Sequence, residues 1–259
     1  MARILVKKRQ KEFIPELNRE VIIGKAAKHY VSDLKKPFST MSGVISVSEL
    51  AKPDGSEVKT DSGKAFTIFS PSFPDEFKRI KRLPQAIPLK DIGLVIAECG
   101  VGPETVAVDS GTGSGAMAMM LARVCKRVTT FDIEDEHLAV AEENKQKLGL
   151  TNMEIRKGDF TKGVDAKDAD LVTLDLPSPW EAIDSARACL KVGGFLVSYS
   201  PSMAQAMEMG NTLSSREDFL VLKTVELMER RWEIDGRKVR PKNKTMIHSG
   251  FLTFARRIR

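Results

Sequence analysis

An α/β fold is predicted for this chain: a parallel sheet with helices on both faces, finished by an antiparallel strand pair and preceded by a small N-terminal β-domain. Three observations predict it. From about residue 90, buried strand-like runs alternate with helical ones, as in a doubly wound sheet. The last two strand-like runs, RWEIDGRKVR (231–240) and MIHSGFLTFARR (246–257), are joined by a loop too short for a parallel crossover. Residues 1–80 differ, holding short β-rich runs broken by the turn signals PDGS (53–56) and DSGK (61–64). The expected division is therefore 1–80 and 81–259, with the basic segment FKRIKRLPQ (77–85) at the join.

The elements follow in order. VIIG (21–24), GVISV (43–47) and KAFTIFS (64–70) are strands of the first domain. DIGLVIAEC (91–99) is a helix and TVAVDS (105–110) a buried strand. GAMAMMLARVC (115–125) is a helix, RVTTFD (127–132) a strand, and DEHLAVAEENKQKLG (135–149) an amphipathic helix closed by Gly149. MEIRKGD (153–159), LVTLD (171–175) and GFLVSYS (194–200) are strands. SPWEAIDSARACLK (178–191) is a helix, opened by a Ser178-x-x-Glu181 capping box with Pro179 at its first position. REDFLVLKTVELMERR (216–231) also reads as a helix.

Composition narrows the class. In 259 residues, 42% apolar and 29% charged, no apolar run approaches the ~20 that cross a bilayer. The opening MARILVKKRQKEF lacks the apolar core of a signal peptide. Cys99, Cys125 and Cys189 show no metal-ligand spacing and are odd in number, so they are expected as buried thiols in a reducing cytoplasm. A net charge of +6 permits a polyanionic partner without requiring one.

VAVDSGTGSGA (106–116) places glycines at a strand-to-helix turn, where backbone approaches a ligand and free N–H groups face it. Gly111-x-Gly113-x-x-Ala116 fits NAD, FAD or S-adenosylmethionine alike. Asp132 follows about twenty residues on, where a carboxylate accepts from ribose hydroxyls. Asp159 ends the third strand within reach of an adenine amino group, and Asp175 ends the fourth. The reversed strands at the C-terminus favour the methyl donor over a dinucleotide.

Six segments carry a resemblance: Gln85 to Asp91, VDSGTGSGAMAMMLARV (108–124), FDIEDEHLAVAEEN (131–144), DLPSPW (175–180), YSPSMAQ (199–205) and RPKNKTMIHSGFLTFARR (240–257). With them the chain resembles the tRNA adenine-N1-methyltransferases that act on the T-loop adenine at position 58, and their archaeal branch, which also acts at 57. The resemblance implies a Rossmann-like class I S-adenosylmethionine-dependent methyltransferase, cytoplasmic and homotetrameric, with tRNA as partner. It implies that Gln85, Asp109, Gly111, Thr112, Gly113, Ser114, Gly115, Asp132, His137, Asp159 and Phe160 surround the cofactor. Asp175 is the implied catalytic carboxylate, with Tyr199, His248 and Arg240 at the substrate. Members often carry a tyrosine before the Lys90–Asp91 pair, where this chain reads Ile87-Pro88-Leu89, and a threonine at Ser249.

Adenine N1 attacks through an in-plane lone pair, so no proton need leave first; placement and stabilisation of the cationic product are what Asp175 has to supply. Phosphate contacts are expected from Lys7, Lys8 and Arg9, from Lys78, Arg79, Lys81 and Arg82, and from Arg237, Lys238, Arg240, Lys242 and Lys244. Three rivals remain. An isoaspartyl-type protein methyltransferase leaves D-x-x-x-P-W, the HSG segment and the β-domain unexplained. A non-catalytic tRNA-binding subunit usually lacks the glycine motif or the carboxylate. A NAD-binding protein would fail to bind the methyl donor.

Overall fold

The structure, a computed structural model, describes residues 2–84, 86–236, 238–243 and 248–259. The chain forms two compact units, Met1–Arg79 and Ile80–Arg259.

In the first unit the strands are β1 (Arg3–Lys7), β2 (Gln10–Ile14), β3 (Arg19–Gly24), β4 (Ala27–Val31), β5 (Phe38–Thr40), β6 (Gly43–Ile45), β7 (Glu57–Lys59) and β8 (Ala65–Phe69). Four make an antiparallel sheet in the order β4-β1-β8-β7, while β2–β3 and β5–β6 are separate hairpins. Leu5, Val31, Ile45, Phe66 and Ile68 form its core. The strand expected over 43–47 stops at Ile45. Ser46 instead caps a single turn, α1 (Val47–Leu50), its side chain accepting from the Glu49 N–H. A second short helix, α2, covers Phe73–Phe77.

The second unit runs α3 (Leu89–Glu98), β9 (Val106–Ser110), α4 (Ala116–Ala122), β10 (Arg127–Asp132), α5 (Asp135–Leu148), β11 (Met153–Lys157), β12 (Ala169–Leu174), α6 (Ile183–Cys189), β13 (Leu190–Ser200), α7 (Met203–Ser214), β14 (Phe219–Glu226), β15 (Trp232–Asp235), β16 (Lys238–Pro241) and β17 (Phe251–Arg257). Seven strands form one sheet in the order β11-β10-β9-β12-β13-β17-β14. Strands β9 to β13 are mutually parallel, and β17 runs antiparallel between β13 and β14. The order reverses beside β9, so the ends of β9, β10 and β12 open onto the crevice where such sheets bind ligands. Helices α4 and α5 pack on the β10–β11 side and α7 on β13, β14 and β17.

Four expectations are corrected. Residues 216–231 are not a helix: Phe219–Glu226 is edge strand β14, whose inward Phe219 and Val221 alternate with exposed Leu220 and Leu222. Apolar residues on both faces conceal the period of two. The run 231–240 is not one strand either. Asp235-Gly236 turns the chain, and β15 and β16 form their own hairpin. The reversed strand of the main sheet, β17, therefore pairs with β14 rather than with 231–240. Finally, Ser178 makes no capping bond. Pro179–Ala182 is a 3-10 turn leading into α6, while a capping box forms at Ser202–Gln205 and starts α7, a helix the pattern did not reveal.

Candidate active site

A cleft of about 760 Å3 opens at the carboxyl ends of β9, β10 and β12, within the range of small-molecule sites. Its floor is the turn after β9. Gly111 has φ +85°, and a Cβ there would stand 1.9 Å from the carbonyl oxygen of Asp175, so only glycine lets the two backbones meet. The Gly113 N–H donates to Asp132 Oδ2 at 2.9 Å, tying the loop to the end of β10. Asp132 also accepts from the Glu134 N–H at 3.0 Å and lies 3.2 Å from His137 Nδ1. Two carboxylate oxygens have room for about four partners, so beside these three an acceptor site on Oδ1 remains for a ligand's hydroxyl.

Asp175 closes the floor. It continues β12, its N–H donating to the Ser110 carbonyl at 2.8 Å. Its carboxylate receives no hydrogen bond from the described residues. Burial, reinforced by the neighbouring charges of Asp109 and Asp132, raises its pKa to about 7. Beneath it, Asp109 is fully enclosed and accepts from Thr130 Oγ1 at 2.7 Å and Thr173 Oγ1 at 2.6 Å. Burial raises it to about 6, against the opposing effect of those two hydroxyls. Asp159 takes the opposite direction: its Lys162 and Thr161 hydrogen bonds hold its carboxyl down at about 2.

Of the residues expected at the cofactor, Gly111, Gly113, Asp132, His137, Asp159 and Phe160 line the cleft together with Asp175. Asp109, Thr112, Ser114 and Gly115 lie behind it. Thr112 and Thr130 share a hydroxyl contact of 2.7 Å, the next link of the chain from Asp109. Gln85, Arg237 and Lys244 fall outside the described residues.

The substrate candidates are placed differently. Tyr199 is buried behind Asp175, in a gap too narrow for water, and its hydroxyl donates to the Ser249 carbonyl. Its ring lies against Gly250, where a Cβ would meet ring carbons at 2.5 and 2.7 Å. Ser249 Oγ donates to Asp91 Oδ2 at 2.8 Å, and Lys90 Nζ reaches both Asp91 Oδ1 at 2.7 Å and Ser249 Oγ at 2.6 Å. This node, with Asp91 1% exposed, explains the Lys-Asp pair and the serine as one lock. His248 has Nδ1 2.6 Å from Glu226 and Nε2 3.0 Å from the Pro201 carbonyl. Both partners are acceptors, an arrangement that favours the doubly protonated ring. Its pKa is raised, first by the Glu226 bond. Arg240 lies on the β15–β16 hairpin, paired with Glu233 at 3.1 Å. Neither His248 nor Arg240 lines the cleft.

Sequence reasoning missed Pro84, Pro201 and Gln205 at the cleft wall. Gln205 donates to the Pro177 carbonyl at 2.9 Å and so joins α7 to the loop after Asp175. Its signal was available as the Ser202-x-x-Gln205 spacing.

The ionisable groups lining the cleft are Asp132, Glu134, His137, Asp159, Asp175 and Glu181, with no lysine or arginine among the described residues there. An acid-lined cleft suits a ligand carrying a sulfonium cation and opposes the pyrophosphate of a dinucleotide. The glycine turn, the remaining acceptor site of Asp132 and the cleft volume all fit S-adenosylmethionine.

Comparisons with known proteins agree with this geometry. The chain is 31% identical to the tRNA (adenine(57)-N(1)/adenine(58)-N(1))-methyltransferase TrmI of Methanocaldococcus jannaschii, over 92% of this chain and 94% of that one. An S-adenosylmethionine-dependent O-methyltransferase structure from Thermotoga maritima superimposes with a TM-score of 0.81 at 28% identity, covering 99% of this chain and 93% of the other. The Aquifex aeolicus tRNA (m1A58) methyltransferase TrmI gives 0.79 at 22% identity, covering 99% and 97%, and shares the class I methyltransferase fold. Residues 80–239 match the family described as tRNA methyltransferase complex GCD14 subunit, and the chain belongs to that family.

Proposed function

We propose that this protein transfers a methyl group from S-adenosylmethionine to N1 of a T-loop adenine in tRNA, at position 58 and, as for the Methanocaldococcus relative, at 57. One observation carries the reading: an acid-lined cleft whose floor is a buried carboxylate with no hydrogen-bond donor among the described residues. Both the donor and the N1-methylated product are cations, and such a floor favours both.

When bound, S-adenosylmethionine supplies an already activated methyl group. The glycine turn and Asp132 hold the adenosyl half, with Asp159 at the adenine end. Asp175 accepts a hydrogen bond from the exocyclic amine of the target base, which turns N1 toward the donor and stabilises the positive charge that develops on the ring. The base has to leave its stack, at a cost of about a few kcal/mol. Exposed Lys78, Lys81 and Arg82 offset this through phosphate contacts. Lys238 and Arg240 contribute less, because both already pair with Glu233. The same reading takes the enzyme as a cytoplasmic homotetramer, which sedimentation of the purified chain tests.

The name of the Thermotoga neighbour raises a second reading, an oxygen acceptor. Asp175, with a pKa near 7, would then remove a hydroxyl proton. Incubation with labelled donor and unmodified tRNA transcript, followed by nucleoside analysis, decides. Label in 1-methyladenosine of the T-loop supports the N1 reading; label in a methyl ether or only in protein rejects it. Binding of the transcript should also weaken steeply with salt, and a flat response would remove the basic segment from the reading.

A further inference from the structure

Helix α5 carries one buried polar side chain, and the donor site does not use it directly. Asn144 is 1% exposed, and its carboxamide is fully committed. Oδ1 accepts from the Lys81 N–H at 2.8 Å, and Nδ2 donates to the Lys81 carbonyl at 2.8 Å and to the Ser114 carbonyl at 3.0 Å. The amide thus pairs with one backbone residue as a neighbouring strand would, and spends its last donor on the glycine turn. Asparagine is a weaker helix former than alanine, so propensity does not explain it at this position.

The two segments it joins both lead to residues that line the cleft. Ser114 follows Gly113, and Pro84 stands three residues after Lys81; Gly113 and Pro84 both line the cleft. At Gly115 the turn is already pressed on α5, since a Cβ there would stand 3.4 Å from that of Ala141. We propose that Asn144 is a positioning residue for the methyl donor, fastening the Lys81–Pro84 segment to the glycine turn so that the cleft is preformed. This rests on the S-adenosylmethionine reading above. Asn144 touches no reacting atom, so its loss acts on donor binding and leaves the chemical step alone.

The test uses the full chain with S-adenosylhomocysteine as probe. Asn144→Ala is expected to bind it at least tenfold more weakly, with KM for the donor raised in parallel and kcat at saturating donor within twofold of the parent. Asn152→Ala is the control. Asn152 makes similar donor bonds, to the carbonyls of Ala122 and Cys125 at 2.8 and 3.0 Å, on a segment that does not reach the cleft, and the donor affinity of its variant should stay unchanged. Tryptic cleavage after Lys81 or Arg82 provides a second readout: the probe should protect this site in the parent and not in Asn144→Ala. If Asn144→Ala fails to fold, Lys81→Pro, which removes the N–H donor together with an exposed side chain and fixes φ, should show the same loss of affinity, while Lys81→Ala, which removes the side chain alone, should not. Parent-like affinity and protection in a folded Asn144→Ala or Lys81→Pro overturns the proposal. A parent that does not bind the probe overturns the methyl-donor reading itself.

Discussion

The parallel and the reversed halves of the seven-stranded sheet use their polar residues in opposite ways. At the ends of β10 and β12 the chain presents carboxylates with capacity to spare: Asp132 keeps an acceptor site and Asp175 accepts no hydrogen bond from the described residues. Around β13, β14 and β17 the polar residues that sequence or chain position would offer to a substrate are consumed internally, although the hydroxyls of Ser198 and Ser200 on β13 have no partner among the described residues. His248 holds Glu226 and Pro201, Ser249 holds Asp91, and Tyr199 holds the Ser249 carbonyl. A polar motif in a buried setting is thus either an offer to a ligand or a closed bond, and only the count of unused donors and acceptors separates the two.

Substitutions can break this distinction or sharpen it. The largest effect is expected at Asp175: Asp175→Ala should lose about 10²–10³-fold in methyl transfer to tRNA, with donor affinity retained by calorimetry. Equal activity in the variant would remove the presenting role from the parallel half. Asp175→Asn probes the energetic side of the same carboxylate. Its folded pKa, near 7, lies above the unfolded value of about 4, so the folded state binds the extra proton between these limits. Stability from this group is therefore present at low pH and lost as pH rises through 7. The asparagine variant should be more stable than the parent by about 2 kcal/mol at pH 8, with the gap closing toward pH 4, as read by urea denaturation at each pH.

Ser249→Ala tests the reversed half. Removing a hydroxyl that serves both Lys90 and Asp91 should cost about 1–2 kcal/mol and lower kcat/KM for tRNA, while donor affinity is unchanged. A large fall in donor affinity would merge the two halves into one site. The smallest effect belongs to Ser198, whose buried hydroxyl has no partner among the described residues. Ser198→Ala should fall within about 0.5 kcal/mol of the parent, and a larger loss would reveal a bond by this hydroxyl.

Legibility in the sequence followed the same division. The parallel strands are short apolar runs bounded by clear turn signals, and β10, β11 and β12 lead into Asp132, Asp159 and Asp175, acids that their place at the strand ends picked out. Asp109 is the exception. The family resemblance placed it at the ligand, yet Thr130 and Thr173, distant in sequence, enclose it. Strand β14 was hidden because an edge strand with apolar residues on both faces loses its alternation, and α7 because a true capping box lay beside a false one at Ser178. The roles of Lys90, Asp91 and Ser249 were invisible for another reason. Their contacts span 158 and 159 positions of the chain, a separation that no local pattern records.

The close approach of Gly111 to the Asp175 carbonyl has a consequence for how such a protein changes over generations. A side chain cannot be gained at 111 until the backbone at 175 has withdrawn, and withdrawing it moves the carboxylate proposed to orient the base. The two positions are inherited as one, although 64 residues of chain separate them. A lineage that drifts toward a new acceptor has to keep this pair and vary the walls around it, at Pro84, Pro201 and Gln205, where nothing comparable forbids a first step.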